Sequence, residues 1–267
     1  MRLTRLSCAI GLTTVMAACF TPAVQAHESA TAHTSSARSS AASAEATAQY
    51  PLTIEHAFGT TVIENKPQRI ATVAWANHEV PLALGVVPVG FPRQDFGDDD
   101  GDGMMPWVKA RLEALGADSA NLFDQGKPLD FDAVAASQPD VILAAYSGLS
   151  KDDYAKLSKI APVVARSGPR WSSSWRDMIR LDSAGMGMAA EGEALIERLE
   201  AQVADNIATH PEIKGKSAIT LRYIDPEDPT LIAFYNDNDT RVRFLTELGM
   251  TSPSFVTASA SDGKIGG

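Results

Sequence analysis

Past residue 50 the hydrophobic positions fall into two alternating periods. Residues 52–56 and 60–64 alternate polar and apolar around Phe58-Gly59, which predicts a β-hairpin. Residues 67–75 read as a buried strand, 80–84 as a short helix ending at Gly85, and 86–90 as a second strand. A polar loop leads to helices over 107–115 and 131–137. The apolar strand 140–145 follows, then a helix over 152–160 and a strand over 163–165. Strands alternating with helices predict a parallel sheet covered by helices on its faces.

Between residues 175 and 209 the period becomes helical throughout. Leu195, Ile196, Leu199, Val203 and Ile207 form an i, i+3, i+4 stripe, with Gly185, Gly187 and Gly192 as candidate breaks. His210-Pro211 ends the run. A second β/α pattern then begins: strands over 217–224 and 231–235 and a helix over 240–248 capped by Gly249. The expected fold is α/β, with two Rossmann-like lobes joined by a long helix. The expected boundaries are an N-terminal lobe over 50–170, the linking helix over 171–212 and a C-terminal lobe over 213–267.

The first 49 residues are set apart by composition. Arg2 and Arg5 precede an uncharged, mostly apolar run from Leu6 to Phe20, so residues 1–26 read as an export signal. Two processing sites compete. Val24-Gln25-Ala26 is a small-residue cleavage site. Met16-Ala17-Ala18-Cys19 is a lipobox that would make Cys19 a lipidated N-terminus on the outer face of the cytoplasmic membrane. Cleavage after Ala26 would instead give a soluble periplasmic protein. Residues 27–49, rich in Ala, Ser and Thr, read as a disordered tether.

Charge and chemistry narrow the classes. The 267 residues carry 23 Lys+Arg against 33 Asp+Glu, a net charge of −10 that becomes −12 once Arg2 and Arg5 leave with the leader. That argues against nucleic acid as a partner. Both cysteines, Cys8 and Cys19, lie in the leader, so the body has no disulfide, Cys-based zinc site or thiol nucleophile. No G-x-S-x-G, P-loop or strand-borne G-x-G-x-x-G is present, so an enzyme is not expected. Asp98, Asp100 and Asp102 with Gly103 fit the start of a calcium loop, but Lys109 stands where a bidentate Glu is needed, so no metal is assigned. His78-Glu79 reads as a surface pair at a helix start, with metal or haem ligation as the alternative.

Several strings together resemble one family. They are Lys66-Pro67-Gln68-Arg69-Ile70, Ala83-Leu84-Gly85-Val86-Val87-Pro88-Val89-Gly90, Gln138-Pro139-Asp140-Val141-Ile142-Leu143, Tyr146-Ser147-Gly148-Leu149, Ile160-Ala161-Pro162-Val163-Val164 and Thr240-Arg241-Val242-Arg243-Phe244-Leu245. In this order and spacing the body resembles the iron–siderophore substrate-binding proteins of ABC importers, the class hinged on a long helix. The resemblance implies a ligand cleft between two lobes and small closure. It implies a ferric siderophore as ligand, no cofactor, and an ABC permease with its ATPase as partners. The membrane would be met only through a lipid anchor, and a monomer is expected. Family members continue for several more strand–helix units, so the second lobe is expected to be incomplete.

A pocket for a bulky ferric complex needs aromatic walls and a few cations, and ligands of open α/β sheets sit at the carboxyl ends of strands. That selects Trp75 and Tyr146. In the implied fold Arg170, Trp171 and Trp175 also face the cleft, and Tyr235 and Arg241 reach it from the second lobe, Arg241 as the preferred cation. Family docking through one acid per lobe selects Asp153 and Glu247. Met104 and Met105 stand where related hydroxamate binders place an Arg, so the siderophore class stays open. A haem or cobalamin carrier of the same fold, an exported α/β hydrolase and a non-transport surface sensor domain are the alternatives.

Overall fold

The computed structural model describes residues 48–117, 119–124, 129–228 and 230–262. The expected leader, the Cys19 lipid site and residues 27–47 of the tether lie outside them, as do residues 263–267.

The described chain opens with the hairpin β1 (Leu52–His56) and β2 (Gly59–Ile63), paired antiparallel from Leu52↔Ile63 to His56↔Gly59. The central sheet is parallel. Its strands are β3 (Ile70–Thr72), β4 (Phe91–Pro92), β5 (Leu122–Phe123), β6 (Val141–Ala144) and β7 (Val163–Ala165). β3, β6 and β7 form one ladder and β4 pairs with β5; the bridge Ala71↔Gly90 joins the two, giving the order β5-β4-β3-β6-β7. Short helices connect them: α1 (Glu79–Ala83), α2 (Pro106–Ala114), α3 (Phe131–Ala136) and α4 (Lys151–Leu157).

β6 shows why the sheet is buried on both sides. Val141 and Leu143 pack with Ile54, Ile179, Leu195 and Ile196. Ile142 and Ala144 point the other way, onto Val134, Leu149 and Leu157. An all-apolar strand of period 2 needs a helical layer on each face, and it has one.

Two expected strands are shorter. The strand over 67–75 pairs only at Ile70–Thr72, because Asp140 Oδ2 holds the amides of Gln68 and Arg69 in a turn (2.8 and 3.0 Å) and Ala74 leaves the extended region at φ 64°. The strand over 86–90 is displaced to Phe91–Pro92. The Val86 amide bonds back to Pro81 O, and Pro88 has no N–H, so pairing starts only at Val89, whose amide reaches Ile70 O at 2.8 Å.

The helix expected over 171–212 is two helices. α5 (Trp175–Gly185) is opened by a Ser174/Asp177 capping box, and α6 (Ala189–Thr209) has 21 residues, roughly 32 Å. The chain turns between them at Gly187, whose φ of 71° favours a residue without Cβ. Gly185 lies against Leu143 and Val164 of the sheet. Gly192 does not break α6; it seats Ser183 of α5 where a side chain would otherwise stand.

Beyond α6 come β8 (Thr220–Ile224), β9 (Ile232–Tyr235), α7 (Thr240–Glu247) and α8 (Ser254–Ser259). Here the expected Rossmann-like pairing differs. β8 and β9 run antiparallel, since the connection from Asp225 to Leu231 is too short for a parallel crossover. Among the described residues, parallel pairing in this segment is the single bridge Ser217↔Thr251. Arg176 of α5 ties the segments together, binding Glu200 of α6 at 2.6 Å and Glu247 of α7 at 2.9 Å. Among the described residues no helix is long and apolar enough to cross a membrane.

Candidate functional site

The carboxyl ends of β3 and β6 open onto a cleft of about 1000 Å³ closed on its far side by β8, β9 and α7. Trp75 follows β3, and Tyr146 follows β6. Trp171 and Trp175 come from the approach to α5 and its first residue, and all four rings line the cavity. Tyr146 and Trp171 meet edge to face at 5.3 Å. The Tyr146 hydroxyl interacts with the Thr240 side chain of α7, and burial holds its pKa above the usual phenol value. Gly148 is required beside this pair, because any side chain there would overlap the Trp171 indole.

From the other side come Tyr235, at the end of β9, and Arg241, in the first turn of α7. Arg241 lies 3.5 Å over the Tyr235 ring. Its charge is not free. Nε and Nη2 each bond the carboxylate of Asp239, the N-cap of α7, at 2.7 Å. Asp239 is fully buried while the Arg241 side chain is 47% exposed. This pairing raises the Arg241 pKa further above its ordinary value. The expected cation is therefore a pre-oriented, largely neutralised one.

Arg170 does not join the site. It is exposed on the turn before Trp171, where its charge acts on Asp153 and Arg166. The two acids expected to dock, Asp153 and Glu247, both have intramolecular partners. Asp153 Oδ2 accepts Ser150 N (3.0 Å) and Ser150 Oγ (2.6 Å) in the capping box of α4, which lowers its pKa. Glu247 accepts Arg176 Nη1 and the Trp175 indole (2.9 and 3.3 Å). His78 is neither a surface residue nor a cleft ligand. It is fully buried, stacked 4.7 Å from Phe91, and burial pushes its pKa down to about 4. In the acidic loop, Asp98 accepts the amides of Gly101 and Gly103 (2.8 and 2.7 Å), and Lys109 Nζ binds Asp100 and Asp102 (3.0 and 2.7 Å).

Several wall residues escaped the sequence reading, Phe96 and Arg222 among them. Phe96, 83% exposed, reaches the cleft from the loop after β4; an aromatic in a Gly/Asp-rich loop at a strand's carboxyl end was its signal. Arg222 lines the cleft beside Leu221 because the β8–β9 register shifts between Leu221 and Tyr223. A bulge re-aims neighbouring side chains in a way that period 2 does not anticipate.

A cavity walled by Trp and Tyr, with Arg241 paired and Arg222 without an ion-pair partner among the described residues, suits a bulky, partly apolar solute carrying little net charge. Known proteins share this chain's sequence and fold. The chain is 26% identical over 216 residues to the probable siderophore-binding lipoprotein YfiY of Bacillus subtilis (strain 168), covering 80% of this chain. It spans 61% of the length of that protein. The crystal structure of PiaA from Streptococcus pneumoniae TIGR4 in complex with ferrichrome superposes with a TM-score of 0.76. It is 42% identical and covers 81% of this chain and 72% of its own. Staphylococcus aureus SirA complexed with staphyloferrin B shares the fold at 23% identity, with a TM-score of 0.61 over 80% of this chain and 68% of its own. The profile of the periplasmic binding protein family matches residues 70–263, from the first strand of the parallel sheet through α8. The chain thus belongs to the periplasmic binding protein family.

Proposed function

We propose that this protein is the extracytoplasmic solute-binding component of an ABC importer and captures a ferric siderophore in the cleft between its two α/β segments. The carrying observation is the composition of one cavity: Trp75, Tyr146 and Trp171 on one side, Tyr235, Arg222 and Arg241 on the other. The likeness to PiaA, seen with ferrichrome, favours a trihydroxamate. Three hydroxamates cancel the charge of ferric iron, so the complex is neutral. A wall whose Arg241 is already matched by Asp239 accepts a neutral complex more readily than a trianionic tris-catecholate. Export, with Cys19 lipidated or cleavage after Ala26, and delivery as a monomer to a permease and its ATPase complete the reading. In it Asp153 and Glu247 dock through the carboxylate oxygens their internal partners leave open.

Titrating the full chain with ferrichrome should quench its tryptophan emission saturably, because Trp75, Trp171 and Trp175 line the cavity. A ferric tris-catecholate should bind at least about tenfold more weakly. Absence of quenching by either complex would end the siderophore reading.

A further inference from the structure

The aromatic wall is mounted on strained backbone. Among the described residues, four that are not glycine take positive φ: Ala74 (64°), Ala76 (63°), Gln138 (48°) and Trp171 (60°). Three of these four are at the cleft. Ala74 and Ala76 bracket Trp75, and Trp171 is itself part of the wall. Left-handed backbone is unfavourable for a residue with a Cβ and persists only where surrounding contacts over-determine it.

The over-determining group beside Trp75 is Asn77. It is fully buried. Its Nδ2 donates to Val73 O at 2.7 Å, Tyr146 O at 3.0 Å and Trp75 O at 3.2 Å, and its Oδ1 accepts from Tyr146 N at 2.9 Å. The amide orientation follows from the partners, since only the NH₂ end can face three carbonyls. All four bonds go to the loops that carry Trp75 and Tyr146, and none to α1, which starts two residues later. Other wall segments hang on the same strip of backbone. Ser173 Oγ donates to Ala145 O at 2.6 Å, and Trp171 N donates to Ser147 O at 3.1 Å.

We propose that Asn77 is the positioning residue of the cleft: it ties the strained Trp75 loop to the backbone of Tyr146 and so fixes the spacing of the two rings that a ligand meets. This rests on the ligand-capture reading given above. Asn77 touches no ligand itself. It acts by removing the freedom that Trp75 would otherwise lose on binding, so its effect belongs in affinity and in the order of the unliganded loop.

Two variants of the full chain test this. Asn77→Asp keeps size and the acceptor but turns an oxygen toward three carbonyls. Its ferrichrome Kd, relative to wild type at the same pH, should rise about tenfold at pH 8 and recover toward pH 5, where the protonated carboxyl donates again. Ala76→Gly relieves the backbone, so it should melt no lower than wild type, yet bind ferrichrome about threefold more weakly. With 5-fluorotryptophan labelling, the Trp75 ¹⁹F line, assigned through Trp75→Phe, should be single in the unliganded wild type and broadened or split in both variants. If wild type binds and both variants keep its Kd and a single Trp75 line, the proposal is overturned. If Asn77→Asp fails to fold, Ala76→Gly decides alone. If wild type binds no ferrichrome while the Trp75 line splits in the variants, the tether stands and the ligand reading falls.

Discussion

Neither ring nitrogen of His78 has a hydrogen-bond partner among the described residues, and burial holds its pKa at about 4. The unfolded chain takes up a proton near pH 6.5, so the folded state is favoured in full above that value. The advantage is lost as pH falls from 6.5 toward 4, up to about 3 kcal/mol. Asp182 works in the opposite sense. It is fully buried, and its carboxyl is held well above the usual range by burial, offset only in part by the Ala145 backbone. Its contribution is present at acid pH and declines as pH rises from the ordinary carboxylate value. Urea melts at pH 7 and pH 4.5 separate the two. His78→Phe, which preserves a ring against Phe91, should flatten the acid loss while leaving the Asp182 effect in place. An equally steep loss in that variant would remove His78 as the cause. Gly148 offers a sharper handle on the site. Gly148→Ala should displace the Trp171 indole and weaken ferrichrome binding about tenfold, with little change in melting temperature.

At the level of elements, the turn between α5 and α6 depends on one residue. Gly187 has positive φ, and the Tyr50 hydroxyl occupies the space a Cβ would need. Gly187→Ala should lower stability by about 1–2 kcal/mol in chemical denaturation; a change within error would show that the turn is set elsewhere. That break was legible in the sequence, as were β6, the short helices around it and the Gly85 stop, because each rests on local periodicity or a single backbone constraint. Less local features were not. The antiparallel course of β8 and β9 follows from the length of their connection, and the late start of β4 from where the Val86 amide bonds. The aromatic positions Trp75, Tyr146, Trp171, Trp175 and Tyr235 do converge on one cavity, since strand ends and helix starts can be read along the chain. Arg170 fails because one turn of backbone before Trp171 decides its side, and Arg222 was missed because a bulge is invisible to alternation. Asp239, two residues before Arg241, was in plain view but reads first as a helix cap.

For the whole molecule the relevant contrast is between a net charge of −10 and a cleft whose charged lining residues are Arg222 and the compensated Arg241. Such a body repels anions over about 10 Å at 0.1 M salt. A neutral complex feels neither that repulsion nor a focused attraction. Stopped-flow association of ferrichrome should therefore be nearly flat from about 0.02 to 0.5 M NaCl, within about twofold. A steep fall with salt would instead show that Arg222 draws an anionic ligand into the wall. By settling one cationic charge inside the wall, the ion pair at the start of α7 would leave the proposed capture of a neutral complex little affected by whether the surrounding medium is fresh or saline.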